Sequence, residues 1–108
     1  MTGTVEHDTD RILGCLKAMA DEKRLRVLTL LAGGERCVCE LQDELDVGQS
    51  LLSHHLRALK EAGLVKDRRD GRWIHYSLNR KALGEIEAFL RFTRSARAPV
   101  RLSAPGCD

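Results

Sequence analysis

Apolar residues recur at helical spacing along most of the chain and change to alternation in one stretch only. From Thr9 to Met19 the apolar positions are Ile12, Leu16 and Met19, with Cys15 on the same stripe, and Thr9 or Asp10 is placed to cap the start. A second helix is expected from about Asp21, which caps a run to Leu31 carrying Leu25, Val27, Leu28 and Leu31; Gly33-Gly34 ends it. Leu41 and Leu45 mark a short helix over about Val38 to Leu45, and Asp46-Val47-Gly48 supplies a turn. Gln49 to Ala62 then forms a further helix with Leu52, His55, Leu56 and Leu59 inward, stopped by Gly63. The period next changes to alternation over Leu64 to Arg68 and Arg72 to Leu78, across Asp70-Gly71. That dipeptide between two such runs predicts a hairpin with Asp70 and Gly71 as its turn and Gly71 at positive φ. A last helix over about Arg80 to Arg97 carries Leu83, Ile86, Phe89, Leu90 and Thr93 on one side.

The order is helix, helix, helix–turn–helix, hairpin, helix. A helix–turn–helix followed directly by a two-stranded wing is the winged helix-turn-helix architecture, mainly α with a β-hairpin. The first and last helices carry more apolar surface than a small core needs, so both ends are expected to form a dimer interface. The length of 108 residues suits one domain. The expected division is a DNA-binding and dimerisation domain over 1–98 and a flexible tail over 99–108, where both prolines, Pro99 and Pro105, lie. With no long apolar run and a polar, acidic start, the chain is expected to be cytoplasmic, with no membrane partner.

Charge changes the picture in one respect. Residues 1–53 carry six Lys/Arg against ten Asp/Glu, whereas 54–108 carry twelve against six, so the second half holds the surface for a polyanion. On the helix from Gln49 to Ala62 the outward positions are Gln49, Ser50, Ser53, His54 and Arg57, with Leu51 beside them. Gln reads the adenine edge, Ser and His donate to bases or phosphates, Arg reaches guanine or backbone oxygen, and a leucine meets the thymine methyl. Arg68, Arg69 and Arg72 near the hairpin tip suit phosphate or minor-groove contact, diluted by Asp67 and Asp70, and at least one of the three is expected to serve only solubility. His55, on the apolar face, reads as an interior histidine with a polar partner.

Four cysteines, Cys15, Cys37, Cys39 and Cys107, match no disulfide-rich secreted scaffold and are expected as thiols in a reducing compartment. Residues i and i+2 of a helix point about 200° apart, so Cys37 and Cys39 can grip one ion only where the chain is extended or the first turn unwound. Thiolates select soft ions such as As(III), Sb(III) or Cd(II). Cys15 reads as a packing residue. Cys107 has no packing rationale, which makes it the expected third ligand, with Cys15 the alternative. No phosphate-cradling glycine loop, His-Glu-x-x-His or serine elbow is present, so an enzyme is not expected.

Several stretches together resemble the ArsR family of metal-responsive repressors: Leu16 to Leu25, Arg36-Cys37-Val38-Cys39-Glu40-Leu41, Gln49 to Leu56, Ala62-Gly63-Leu64-Val65 and Gly71 to Leu78. The resemblance implies a homodimer on double-stranded operator DNA with an inverted repeat, released when a soft metal or metalloid, As(III) or Sb(III), binds cysteine. Two departures stand out. Arsenic repressors of the family often carry a third cysteine three positions after the second, where this chain has Gln42, and the last helix lacks the Asp and His of the family's zinc sites. Two other functions compete. One is a thiol-redox or persulfide-responsive repressor of the same fold, in which Cys37 or Cys39 pairs with Cys107; the other, from a different class, is a thiol enzyme or metal carrier.

Overall fold

The computed structural model describes residues 3–5 and 8–102, with the side chains of 8–101. In chain order it holds β1 (Gly3–Val5), α1 (Thr9–Met19), α2 (Glu22–Leu31), β2 (Arg36–Cys37), α3 (Val38–Leu45), α4 (Gln49–Glu61), β3 (Val65–Asp70), β4 (Trp73–Leu78), α5 (Arg80–Ser95) and β5 (Val100–Leu102).

Local chemistry sets the helix ends. Asp8, one residue before Thr9, caps α1 by accepting the Arg11 backbone N–H at 3.1 Å, and Asp21 caps α2 by accepting that of Arg24 at 3.1 Å. At the end of α4, Gly63 takes φ 84, which lets its N–H reach the Lys60 carbonyl at 2.9 Å and the Leu64 N–H reach that of Leu59 at 3.0 Å. Asn79 then ties this corner to the start of α5: its side-chain amide donates to the Gly63 carbonyl at 2.8 Å and its backbone N–H to that of Leu64 at 2.9 Å.

Leu31, Leu41, Leu52, Leu56, Leu59, Leu64 and Val27 are fully buried where α2, α3 and α4 meet. The inner line of α1 is Ile12, Cys15 and Ala18, not Leu16, because that line faces α4, and the Cys15 thiol donates to the Ala62 carbonyl at 3.3 Å. Leu13, Leu16 and Leu90 are left exposed on α1 and α5. Leu25 is also outward, and α2 buries Val27, Leu28 and Leu31.

The wing is part of a three-stranded antiparallel sheet of order β2-β4-β3. Its register pairs Asp70 with Trp73, so the two central turn residues are Gly71 and Arg72, one position later than the Asp-Gly pattern suggests. Gly71 has φ 61 while Arg72 avoids positive φ, the combination of a hairpin turn with glycine first. The third strand, β2, places Cys37 opposite His75 and Arg36 opposite Tyr76. Two residues are too few for any alternation to be visible in the sequence. Within the segment expected as a tail, Val100–Leu102 pairs in parallel with Gly3–Val5. Cys107 lies outside the described residues.

Candidate nucleic-acid interface and thiol pair

Helix α4 is strongly two-faced. Leu52, His55, Leu56 and Leu59 are buried, and Gln49, Ser50, Leu51, Ser53, His54 and Arg57 are exposed. Gly48 caps the helix with no side-chain hydrogen bond, leaving the first N–H groups uncovered at the end that carries Gln49 and Ser50.

Behind that face a polar bracket holds α4 to α2. Arg24 donates from Nε to His55 Nδ1 at 3.0 Å, and its Nη2 lies 3.4 Å from His54 Nε2. Burial holds the His55 imidazole below its ordinary pKa, and the neighbouring Arg24 adds to this against an opposing pull from Asp21. A neutral imidazole with a bare Nδ1 is what the Arg24 hydrogen bond requires. The expectation of a partnered interior histidine holds; the identity of its partner, 31 residues away, has no signal in the sequence.

The wing's charges are largely engaged within the protein. Arg68 meets the Glu35 carboxylate with both Nε (3.2 Å) and Nη2 (2.7 Å), reaching across β4 to the segment that leads into β2. The hydrogen bonds from Arg68 lower the Glu35 pKa. Lys60 of α4 pairs with Asp67 at 2.8 Å, which lowers the Asp67 pKa and raises that of Lys60. The side chains of Arg69 and Arg72 are exposed and form no hydrogen bond or ion pair with the side chain of another described residue.

Cys37 is extended (φ −80, ψ 159) and caps α3, and Cys39 lies in the first turn. This junction of strand and helix solves the i, i+2 problem. The Cα atoms are 5.4 Å apart and the sulfurs are joined as a disulfide, rather than standing as two thiols. Cys37 is buried and Cys39 exposed. The Cys37 backbone N–H donates to Glu40 Oε1 at 3.0 Å, holding the turn closed. Among the described residues no group of three His, Cys, Asp or Glu side chains is placed to hold a metal ion, and Cys15 lies apart, buried on the inner side of α1.

A groove of about 490 Å³ runs between α3, α4 and β4 and joins the two sets of residues. Cys39 and Gln42 line one side, Gln49, Ser53 and Arg57 the helix side, and Arg72, Trp73 and Ile74 the wing side. Of the residues expected from sequence, the structure thus gathers Gln49, Ser53, Arg57, Arg72 and Cys39 around one groove. It leaves Ser50, His54 and Arg69 outside the groove lining, and ties Arg68 to Glu35.

The family described as "Bacterial regulatory protein, arsR family" matches residues 21–67. The "Arsenical resistance operon repressor" of Escherichia coli K12 is 48% identical over 64 residues, 58% of this chain and 55% of that protein, so the chain spans little more than half of that relative. The "Cadmium resistance transcriptional regulatory protein CadC" of Listeria innocua is 33% identical over 93 residues, 84% of this chain and 78% of that one. Among solved structures, HlyU from Vibrio cholerae N16961 matches with a TM-score of 0.68 and 35% identity, covering 84% of this chain and all (100%) of that one.

Proposed function

The chain belongs to the arsR family of bacterial regulatory proteins, which are not enzymes, and on that premise we propose a homodimeric transcriptional repressor that leaves its operator when a soft metal or metalloid binds the Cys37 and Cys39 thiolates. The observation that carries this reading is the shared groove: Cys39 lines the same cleft as Gln49, Ser53, Arg57 and Arg72. Gln49, Ser50, Ser53, His54 and Arg57 face the major groove of an inverted-repeat operator, and Arg69 and Arg72 meet its backbone. Arg68 acts through its tie to Glu35.

As(III) and Sb(III) are the first candidate inducers, and Cd(II) is another soft ion with the same preference for sulfur. The names of the relatives, arsenical for one and cadmium for the other, support that range. Drawing both sulfurs onto one ion, at bonds of roughly 2.3 Å as in other thiolate sites, works against the Cys37–Glu40 cap and opens the first turn of α3. Because β2 pairs with β4, the same strain reaches the wing. Cys107 remains the proposed third sulfur for inorganic As(III).

Dimerisation is supported by Leu13, Leu16 and Leu90, exposed on α1 and α5. It is also supported by an elongated shape of 53 × 27 × 25 Å, with a radius of gyration of 17.0 Å where a compact chain of this size has about 13 Å. No helix of the described residues is long and apolar enough to cross a membrane, consistent with action on DNA in the cytoplasm.

The Cys37–Cys39 disulfide favours a second reading, in which oxidation by a polysulfide or hydroperoxide closes the pair and alters the same turn. The test treats reduced protein on its operator with arsenite, cadmium and a polysulfide. Release by arsenite or cadmium, lost in Cys39→Ser, is the expected result. Release by polysulfide alone supports the second reading, and no release by any of them removes both.

A further inference from the structure

We propose that Arg24 of α2 is a positioning residue of the α4 reading face: its guanidinium fixes the tautomer of His54, so that His54 meets DNA as a hydrogen-bond donor and selects guanine. The inference rests on the reading of α4 as the helix that enters the major groove, and deepens it by assigning one base contact. Two distances carry it. From 30 and 31 residues earlier in the chain, one guanidinium addresses both histidines, Nε donating to His55 Nδ1 at 3.0 Å and Nη2 standing 3.4 Å from His54 Nε2. A guanidinium has only donors, so each of those ring nitrogens must be bare. The two neighbouring rings are thereby held in opposite tautomers, His55 with its proton on Nε2 and His54 with its proton on Nδ1.

Position decides what each contact does. His55 is buried, and its hydrogen bond holds α4 to α2. His54 is exposed, and a 3.4 Å contact at the surface adds little to stability. Its consequence is chemical. A neutral imidazole carries a donor on one nitrogen and an acceptor on the other, and so fits either kind of base edge; with Nε2 turned to Arg24, His54 has only the Nδ1–H to offer. In the major groove guanine shows two acceptors, N7 and O6, whereas adenine sets an amino group beside its acceptor, thymine a methyl group, and cytosine shows only a donor. A donor without an acceptor therefore matches guanine. Arg24 is itself held in place: Asp21 Oδ1 accepts its backbone N–H at 3.1 Å. The two ring centroids lie 5.6 Å apart with planes at 54°, which lets one guanidinium address both.

The experiment has two arms, both on the full chain. In the first, NMR reads the ring nitrogens of protein labelled with nitrogen-15 histidine at about pH 8, above the ordinary imidazole value of about 6.5. His54 should carry its proton on Nδ1, and Arg24→Gln should return it to the Nε2–H form that free histidine side chains favour. In the second, each variant selects inverted-repeat duplexes from a random pool. The wild-type protein should prefer guanine at one position of each half-site by about threefold or more, the worth of one hydrogen bond. His54→Ala and Arg24→Gln should each lose that preference at the same position, and the double variant should lose no more than either. Arg24→Lys keeps the charge and long stem but not the planar fork, so it should lose the preference too, and it carries the test if Arg24→Gln fails to fold. An Nε2 proton on His54 in the wild-type protein, a guanine preference that survives Arg24→Gln, or full preference in Arg24→Lys overturns the inference. If the protein still selects an inverted repeat and leaves it on adding arsenite in that case, the proposed function stands. If no duplex is preferred over any other, both fall.

Discussion

Helix α4 and the wing are the two surfaces proposed to meet DNA, and they hold their polar groups differently. On α4, Gln49, Ser53 and Arg57 face outward on a rigid helix whose opposite side is fully packed. On the wing, Arg68 is clamped to Glu35, and Asp67 draws Lys60 of α4 into an ion pair, so much of the apparent charge is internal to the fold. A count of basic residues therefore overstates what the wing offers a phosphate backbone, and under the proposed function the larger share of DNA contact is expected from α4 with Arg72.

The most direct way to break this comparison is Arg57→Ala. Arg57 is exposed on α4 and lines the groove, and a lost arginine contact to a base or phosphate lowers operator affinity about tenfold or more, repeated in each half-site. Thermal stability should be unchanged, because the side chain supports no core contact. Mobility shift with the operator, beside a melting curve, checks both; an unchanged affinity moves the reading surface away from α4.

The contrast between the two surfaces also explains what the sequence made legible. The α4 face is legible from periodicity, since Leu52, Leu56 and Leu59 at helical spacing fix the buried side and carry His55 with them, whereas on α1 and α2 the same spacing puts Leu16 and Leu25 inward and the structure leaves both exposed. The wing's hairpin was equally plain from Asp70-Gly71, although the turn falls at Gly71-Arg72. What stayed hidden are pairings over long separations. Glu35–Arg68 spans 33 residues and Arg24–His55 spans 31, and charged residues give no periodic signal for which partner they choose. The strand β2 was hidden for another reason, having only two residues and no pattern of its own. Without it, the convergence of Cys37 and Cys39 could be stated as a condition on backbone shape and not as a fact.

Gly71→Val sharpens the comparison from the wing's side. A β-branched residue at φ 61 carries a cost of about 1–2 kcal/mol, so the tip distorts and overall stability drops by a similar amount. Operator affinity should fall only a few-fold, less than in Arg57→Ala, because the wing supplies Arg72 and Arg69 and little else. A loss as large as that of Arg57→Ala reverses the ranking of the two surfaces.

Acidification probes the bracket behind α4. The native His55 pKa lies below the ordinary value of about 6.5, so the unfolded chain takes the proton first as pH falls. The stabilisation from neutral His55 is complete above about pH 6.5 and is lost as pH drops from there through the native value. Protonation also turns Nδ1 from acceptor to donor against the Arg24 guanidinium, and His54, Lys23 and Asp21 are the other charged or titratable groups that act on this imidazole. Melting temperature should therefore decline between pH 7 and 5, and His55→Gln, which keeps a polar acceptor and removes the titration, should flatten that slope. A slope identical in both proteins assigns the pH dependence elsewhere.

The smallest expected effect belongs to Arg68→Ala, and its smallness is the point. By sequence Arg68 stands with Arg69 and Arg72 as one of three basic residues near the hairpin tip, at least one of them expected to serve only solubility, with nothing in the pattern to say which. The structure separates them. Arg68 already has both of its hydrogen bonds on Glu35, at 3.2 and 2.7 Å, with side chains 55% and 37% exposed, a surface pair that adds little to stability. To reach a phosphate it must first leave that carboxylate, so Arg68→Ala should change operator affinity no more than about twofold. Arg72→Ala should lower affinity more and reduce the steepness of its salt dependence, as expected for a side chain that displaces counterions from DNA. Glu35→Gln discriminates further: if the clamp withholds Arg68 from DNA, loosening it should raise affinity in the wild-type background and do nothing in Arg68→Ala. Equal losses at Arg68 and Arg72 would mean that the clamp opens on DNA, and the wing would then rank with α4 as a contact surface.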